Sequence, residues 1–415
     1  LGDRDLGEEV LALEASGLQA DGIPAGSSIA LMLPSGLDYF RAFFGVLLAG
    51  GVPVPIYPPV RPSQLEEHLL RHQKILANAQ VRGLIGFEEI LGVSRLLGAR
   101  VRELERVWTV AELSGKAQGL ASPVLGGADT AFLQYTSGST GNPKGVVLRH
   151  DAVLASLKAM GQAARVRDGE VFVSWLPLYH DMGLIGAWLG SLYHGMPMVL
   201  MSPLTFLARP ASWLEAISRY HGTLSGGPNF AFELCARRIS DEECAGLDLS
   251  GWRMAFNGAE PVDVSTMRRF AERFAGIGFS AQAFAPVYGL AEATLGVSFT
   301  MSGKPPISER VDRQLLAERR IAQPAPAGAG AVSLSSCGTP IPGFEVRTVD
   351  ASGRETGERE VGAIQFKGPG ACSGYFRNPE ATAGLFDGDW LVTGDIGYLV
   401  QGQLFITGRE KDLII

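Results

Sequence analysis

Tyr135-Thr136-Ser137-Gly138-Ser139-Thr140-Gly141-Asn142-Pro143-Lys144-Gly145 is the stretch whose reading decides the fold. Its glycines let backbone N–H groups turn inward around an anion. Its serine and threonine hydroxyls add donors, and Lys144 adds a positive charge. This is the composition of a phosphate cradle. The spacing is not G-x-x-x-x-G-K-[ST], so the P-loop of that pattern is excluded. The flanks, FLQYT before and VVLRH after, read as a strand entering the loop and a helix leaving it. A strand–loop–helix of this kind belongs to a layered α/β architecture.

Working outward, apolar strand-like runs alternate with helical patterns. SIALML (28–33), VPVPI (52–56) and GLIGF (83–87) read as buried strands. Residues 37–49 and 64–79 read as helices between and after them. The rhythm resumes after Asp129, with strands expected at 130–135, 171–175, 198–201, 223–225 and 253–256. Helices are expected at 151–163, 183–193, 210–220, 229–239 and 263–274. Such alternation predicts parallel sheets covered by helices. Residues 301–335 carry PAPAGAGA and a charged helical patch around Gln314 to Arg320, and read as a loop-rich insertion with one short helix. After Cys337, short strands at 345–349, 363–366, 390–393 and 403–406 predict a small β-rich subdomain. The expected fold is therefore α/β, two doubly wound subdomains plus a small β-rich one. Residues 1–336 would form the two subdomains, with the insertion at about 301–336, and 337–411 the β-rich part.

The 415 residues suggest two or three domains at about 150 residues each. Net charge is −7 and no broad basic surface is implied, which argues against a nucleic-acid partner. The four cysteines form no CxxC pair and have no zinc-type spacing with histidine, so reduced thiols and a cytoplasmic setting are expected. The most apolar stretch, 43–56, is broken by three glycines and two prolines, so the chain is not expected to span a membrane. His68 and His72 share a helix face, but without an evident third ligand they read as part of a solvated face. No G-x-S-x-G elbow is present.

YTSGSTGNPKG resembles the signature of the adenylate-forming superfamily of acyl- and aryl-activating ligases. LPLYHDMGL (176–184), FNGAEPV (256–262), YGLAEAT (288–294), WLVTGDIGYL (390–399) and ITGREKDLII (406–415) match in the same order. Within that superfamily the chain is most similar to the fatty acyl-AMP ligases. SGGPNFAFELCARRI (225–239) resembles their acyl-pocket strand and helix. The segment between Thr294 and Cys337 stands where that subfamily carries an insertion, and VDRQLLAERR (311–320) resembles its start.

The resemblance implies ATP and Mg²⁺ as cofactors and activation of a medium- or long-chain fatty acid to an acyl-adenylate. The acyl group would then pass to the phosphopantetheine of an acyl carrier protein or a downstream synthase module. By the same resemblance, Thr136, Ser137, Gly138, Ser139, Thr140, Gly141 and Lys144 would wrap phosphates. Glu292 would bind Mg²⁺, with Thr294 close by. Tyr288, beside Gly289, would stack on adenine, bordered by Asn257, Gly258, Ala259 and Glu260. Asp395 would accept from both ribose hydroxyls, and Arg409 would reach the ribose or phosphate. His180 would sit near the reacting carboxylate, with Lys144 and Glu292 completing the catalytic set. Gly226, Gly227 and Phe230 would line the acyl tunnel. Residues 412–415 would begin a hinge to a C-terminal domain that supplies a further lysine, and without it adenylation would be slow. Two rivals are an acyl-CoA ligase, which the insertion argues against, and a non-catalytic adenylate-binding module. The second would be marked by loss of Lys144, Glu292 or Asp395, and all three are present.

Overall fold

The computed structural model describes residues 8–59, 65–116, 119–136, 142–301, 303–328 and 330–412. They fall into two compact units. The first comprises Leu1–Val153, Pro177–His180 and Cys372–Thr382. The second comprises Leu154–Leu176, Asp181–Ala371 and Ala383–Ile415.

In the first unit, strands β1 (Ser28–Leu31), β2 (Val52–Pro55), β3 (Gly83–Gly86) and β4 (Arg106–Thr109) form a parallel sheet in the order β2-β1-β3-β4. The central strand is the unbroken apolar run that burial on both faces demands, with Ile29, Ala30 and Leu31 fully covered. β2 contains Pro53 and Pro55 and sits at the sheet edge, where a missing N–H costs least. Helix Leu37–Leu48 buries Tyr39, Phe40, Phe43 and Val46, matching its expected place.

The chain then departs from expectation. β5 (Thr130–Thr136) is followed by β6 (Lys144–Arg149), and the two pair antiparallel with Thr136 opposite Lys144. A strand therefore follows the glycine-rich segment, and the helix begins only at His150. The cause lies in Val146, Val147 and Leu148. Their apolar run makes a strand whose register against Gln134, Leu133 and Phe132 buries Val146 and Leu148 completely.

The second unit holds β7 (Phe172–Ser174), β8 (Met198–Leu200), β9 (Leu224–Gly227), β10 (Met254–Asn257), β11 (Phe284–Leu290) and β12 (Leu295–Phe299). β7 to β11 run parallel, and β12 closes one side antiparallel to β11. Helices Ala211–Arg219, Asn229–Arg238 and Val264–Phe274 lie where the periodicity predicts, within a residue or two. Their core is aromatic, built on Trp213, Phe232, Trp252, Phe270, Phe274 and Phe284, all buried. The helix expected at 183–193 is a π-helix over Met182–Leu189 followed by a short α-helical turn. A π-helix of that length is rare and marks functional segments more often than neutral ones.

The insertion is more ordered than its composition suggests. β13 (Ser308–Asp312) and β14 (Ala331–Ser335) pair antiparallel around helix Arg313–Arg319. Val311 and Ala322 pack with Val361, Ile396, Tyr398 and Phe405 of the β-rich part. β15 (Thr339–Pro340) adds to β12 at the edge of the seven-stranded sheet. β16 (Glu345–Val349), β17 (Gly362–Lys367), β18 (Phe386–Asp387), β19 (Trp390–Val400) and β20 (Gln403–Arg409) then form an antiparallel five-stranded sheet. β19 and β20 run longer than their apolar cores alone would indicate. All four cysteines are buried and free. Among the described residues no helix is long and apolar enough to cross a membrane.

His68 and His72 do not lie on a solvated face. Both are buried on helix Leu65–Asn78, on the stripe that carries Leu69, Ile75 and Leu76. Their rings stack 3.9 Å apart, and the Tyr57 ring meets His72 edge-on at 4.5 Å, with Arg71 over the other side of Tyr57. Only His72 Nδ1 has a partner, the carbonyl of His68 at 2.7 Å. Burial lowers His68 to about 4, and burial with the neighbouring His68 lowers His72 to about 3. In the unfolded chain both protonate near pH 6.5. The unfolded state therefore binds more protons between pH 6.5 and 4, and stability falls as pH drops through that window. The urea midpoint is expected to be lower at pH 5 than at pH 7. His68→Phe, which removes a ring without hydrogen-bond partners, is expected to shrink that difference. An unchanged difference would contradict the assignment.

Candidate functional site

Ligands of open parallel sheets bind outside the carboxyl ends of the strands. In the second unit those ends are occupied by Trp175 after β7, Gly226 and Gly227 closing β9, Asn257 closing β10, and Gly289 and Leu290 closing β11. Most of the residues singled out from the sequence in this unit stand on this edge.

Tyr288 points its hydroxyl at Asp395 of β19, donating to Oδ2 at 2.7 Å. Burial first, and the Asp395 charge beside it, push the phenol well above its usual range, so it stays protonated and donates at any physiological pH. The second oxygen, Oδ1, faces Arg409 Nε at 3.3 Å. Asp395 is nearly buried while Arg409 is largely exposed, so this pair contributes little to stability and leaves the guanidinium accessible. Tyr288 is 9% exposed, and its hydroxyl orients Asp395.

Asn257 is fully buried. Its Nδ2 donates to Asn229 Oδ1 at 3.3 Å, while its own Oδ1 has no partner. A buried acceptor without a donor is costly unless something else supplies one. Gly258 follows, then Ala259 at a φ of +66°, the left-handed region that a residue with a Cβ seldom adopts. Strain of this kind concentrates at functional loops. Glu260 accepts from the Phe230 N–H at 2.5 Å, and so holds the first turn of helix Asn229–Arg238.

Gly226 and Gly227 are small because protein fills the space beside them. A Cβ on Gly226 would stand 2.5 Å from the Phe256 carbonyl, and one on Gly227 would stand 2.7 Å from the Trp175 ring. Phe230 is 43% exposed and meets Trp175 edge-on at 6.1 Å. At Gly289 the backbone of Leu295 occupies the position a Cβ would take. Glu292 is half-buried in the turn Ala291–Ala293. Thr294 is committed to the fold: its hydroxyl donates to the Gly370 carbonyl at 2.6 Å, and its own carbonyl accepts from Ser156 at 2.8 Å.

In the first unit, Thr136 and Lys144 face each other at the mouth of the hairpin, and Ser137, Gly138, Ser139, Thr140 and Gly141 lie outside the described residues. Lys144 Nζ sits 4.6 Å from the centre of the Tyr375 ring, a cation–π contact. Lys74 donates to Asn142 Oδ1 at 3.0 Å, bringing a second cation to the loop base. His180 is exposed, at the end of a segment fastened to this unit. Ser35 accepts from the Leu178 N–H, Tyr39 donates to the Leu178 carbonyl, and Gln134 of β5 donates to the Tyr179 carbonyl. Sequence reading missed Tyr375, Lys74, Gln134, Asn229 and Trp175. Trp175 directly precedes LPLYHDMGL, Gln134 directly precedes YTSGSTGNPKG, and Asn229 lies within SGGPNFAFELCARRI, whereas Tyr375 and Lys74 have no such motif beside them.

The model of the AMP-binding enzyme family matches residues 4–376. The chain belongs to that family. The AMP-binding chain is 38% identical over 400 residues to the medium-chain-fatty-acid–acyl-carrier-protein ligase JamA of Moorena producens, covering 93% of this chain and 67% of the relative. It is 37% identical over 422 residues to the long-chain-fatty-acid–AMP ligase FadD26 of Mycobacterium bovis, covering 97% and 71%. Among solved structures it is similar to the fatty acyl-adenylate ligase from L. pneumophila in complex with acyl adenylate and pyrophosphate. The TM-score is 0.89 at 35% identity, covering 98% of this chain and 71% of that one.

Removing the Tyr288 hydroxyl would leave the Asp395 carboxylate with one fewer donor in a buried setting. Tyr288→Phe is expected to cost about 1–3 kcal/mol of stability in urea denaturation, with an unchanged denaturant slope. Asp395→Asn, which keeps an acceptor for Tyr288, is expected to cost less. A neutral Tyr288→Phe would contradict the role given to this bond.

Proposed function

We propose that this enzyme activates a medium- or long-chain fatty acid with ATP and passes the acyl group to the phosphopantetheine thiol of an acyl carrier protein. In the first half-reaction a carboxylate oxygen attacks the α-phosphorus, the bond from that phosphorus to the β-phosphate bridge breaks, and pyrophosphate leaves. In the second the thiolate sulfur attacks the acyl carbon and AMP leaves. The observation that carries this reading is the Asp395 carboxylate oriented by the hydroxyl of Tyr288 on β11, with an Asn257 acceptor that lacks a donor on the neighbouring strand β10. A carboxylate suits a ribose diol, and a buried amide oxygen suits the exocyclic amine of adenine.

The remaining roles follow from residue chemistry. Arg409 reaches the ribose or a phosphate. Lys144 and the Thr136 to Gly145 loop neutralise phosphate charge as pyrophosphate forms. His180 contacts the reacting carboxylate. Phe230 offers apolar surface to the acyl chain. Among the described residues no three of His, Cys, Asp and Glu gather to hold a metal. Glu292, a single carboxylate, fits Mg²⁺, an ion bound through one or two carboxylates together with substrate phosphates. Bound there, Mg²⁺ would supply charge neutralisation on the phosphates.

The test is product analysis with the full chain, ATP, Mg²⁺ and dodecanoate, followed by mass spectrometry. Dodecanoyl-AMP is expected, and Glu292→Ala is expected to lower its formation at least about tenfold. With holo carrier protein and coenzyme A offered together, acyl transfer to the carrier protein is expected to dominate. Dominant acyl-CoA would favour an acyl-CoA ligase, and absence of acyl-AMP with acids of eight to eighteen carbons would refute the proposal.

A further inference from the structure

The second unit satisfies its buried indoles with care, with one exception. Trp213 donates to Ser225 Oγ at 2.8 Å and Trp252 to the Met254 carbonyl at 2.9 Å. In the first unit Trp108 donates to Asp21 at 2.6 Å. Trp175 is just as buried, at 4% exposed, yet its Nε1–H has no acceptor. An indole N–H removed from water without a partner is destabilising.

Three contacts locate that N–H. The ring stacks on Phe206 at 4.0 Å, which fixes its plane. The edge formed by Cε2 and Cζ2, which flanks Nε1, lies against Gly227, where a Cβ would come within 3.4 Å of Cε2. Phe230, the exposed aromatic on the first turn of the next helix, meets the same ring edge-on. The orphan donor therefore stands at the carboxyl ends of β7 and β9, among the residues assigned above to the acyl chain. Met182, Val199 and Met201 pack on the same core, with Ser212 Oγ 3.9 Å from the Met201 sulfur. A buried donor beside apolar side chains selects a ligand by a single acceptor.

We propose that Trp175 is a specificity residue that donates to an oxygen on the acyl chain, so that chains bearing a hydroxyl or oxo group are preferred over plain alkyl chains. This rests on the acyl-site reading of Gly227 and Phe230. An oxygenated chain fills the vacant hydrogen bond, whereas a methylene at the same depth leaves the donor buried and unmet.

The experiment compares acyl-AMP formation from dodecanoate with that from dodecanoates oxygenated at carbon 3, 6, 9 or 12. At least one oxygenated acid is expected to exceed dodecanoate about tenfold in kcat/KM. Trp175→Phe, which keeps the stacked ring, is expected to abolish that preference. The wild-type indole proton is followed in parallel by NMR with ¹⁵N-labelled tryptophan, so that a poorly folding variant does not decide the matter. The Trp175 indole signal is expected to shift downfield with the preferred oxygenated acyl-adenylate mimic and not with the dodecanoyl mimic. No preference across the panel, or a preference that survives Trp175→Phe, overturns the proposal. Turnover of dodecanoate with no preference defeats this inference alone. Failure to turn over any acid defeats the reading beneath it.

Discussion

The hydrogen bond from Tyr288 to Asp395 spans 107 residues of sequence and joins two sheets of the second unit. Tyr288 comes from the last parallel strand of the seven-stranded sheet, Asp395 from the central strand of the antiparallel one. Burial keeps the phenol protonated, so the donor is permanent, and a permanent donor fixes the rotamer of the carboxylate. Thr294 reinforces the connection by bonding Gly370, and Tyr398 ties the β13–β14 hairpin to the same sheet through Glu309. These contacts join the strand of Asp395 to the parallel sheet.

Around that bond the unit follows a consistent economy. Apolar strands are covered by helices whose aromatic residues interlock, and polar atoms inside are paired. Asn257 Oδ1 and Trp175 Nε1 are an unmet acceptor and an unmet donor at the carboxyl ends of β10 and β7, the two strands that flank β9. A fold that bonds Trp213 and Trp252 has the means to bond Trp175 as well. Buried groups left unmet beside a binding edge are met by what binds there.

Much of this was legible in the sequence, for identifiable reasons. Seven of the parallel strands are short apolar runs bounded by turns, and the helices beside them carry a 3.6-residue period, so these fall within a residue or two of expectation, whereas Arg106–Thr109 and Phe284–Leu290 stand outside the expected set. Asp395, Tyr288 and Glu292 each sit in an ordered motif. What was not legible depended on pairing. The glycine-rich loop reads as a strand-to-helix turn until Val146 and Leu148 are seen to pair back on β5. The buried His68–His72 stack reads as a solvated face because Glu66, Glu67 and Arg71 share the helix, and only the helix's orientation separates the two sides. The insertion's proline- and alanine-rich wording hides a hairpin whose core residues, Val361, Ile396 and Phe405, lie far along the chain. Glycines 226 and 227 suggest an open wall, but their neighbours Phe256 and Trp175 arrive from other strands.

The central claim is that the Asp395 edge holds the nucleotide half of an acyl-adenylate and the adjoining apolar surface holds its tail. Isothermal titration calorimetry with AMP, with a non-hydrolysable dodecanoyl-adenylate mimic and with coenzyme A tests it most directly, on the full chain and on Asp395→Ala. The account predicts that the acyl mimic binds at least about a hundredfold tighter than AMP, that coenzyme A does not bind, and that Asp395→Ala weakens both nucleotides by about tenfold or more. Equal affinity for AMP and the mimic, or nucleotide affinities unaltered by Asp395→Ala, would contradict it.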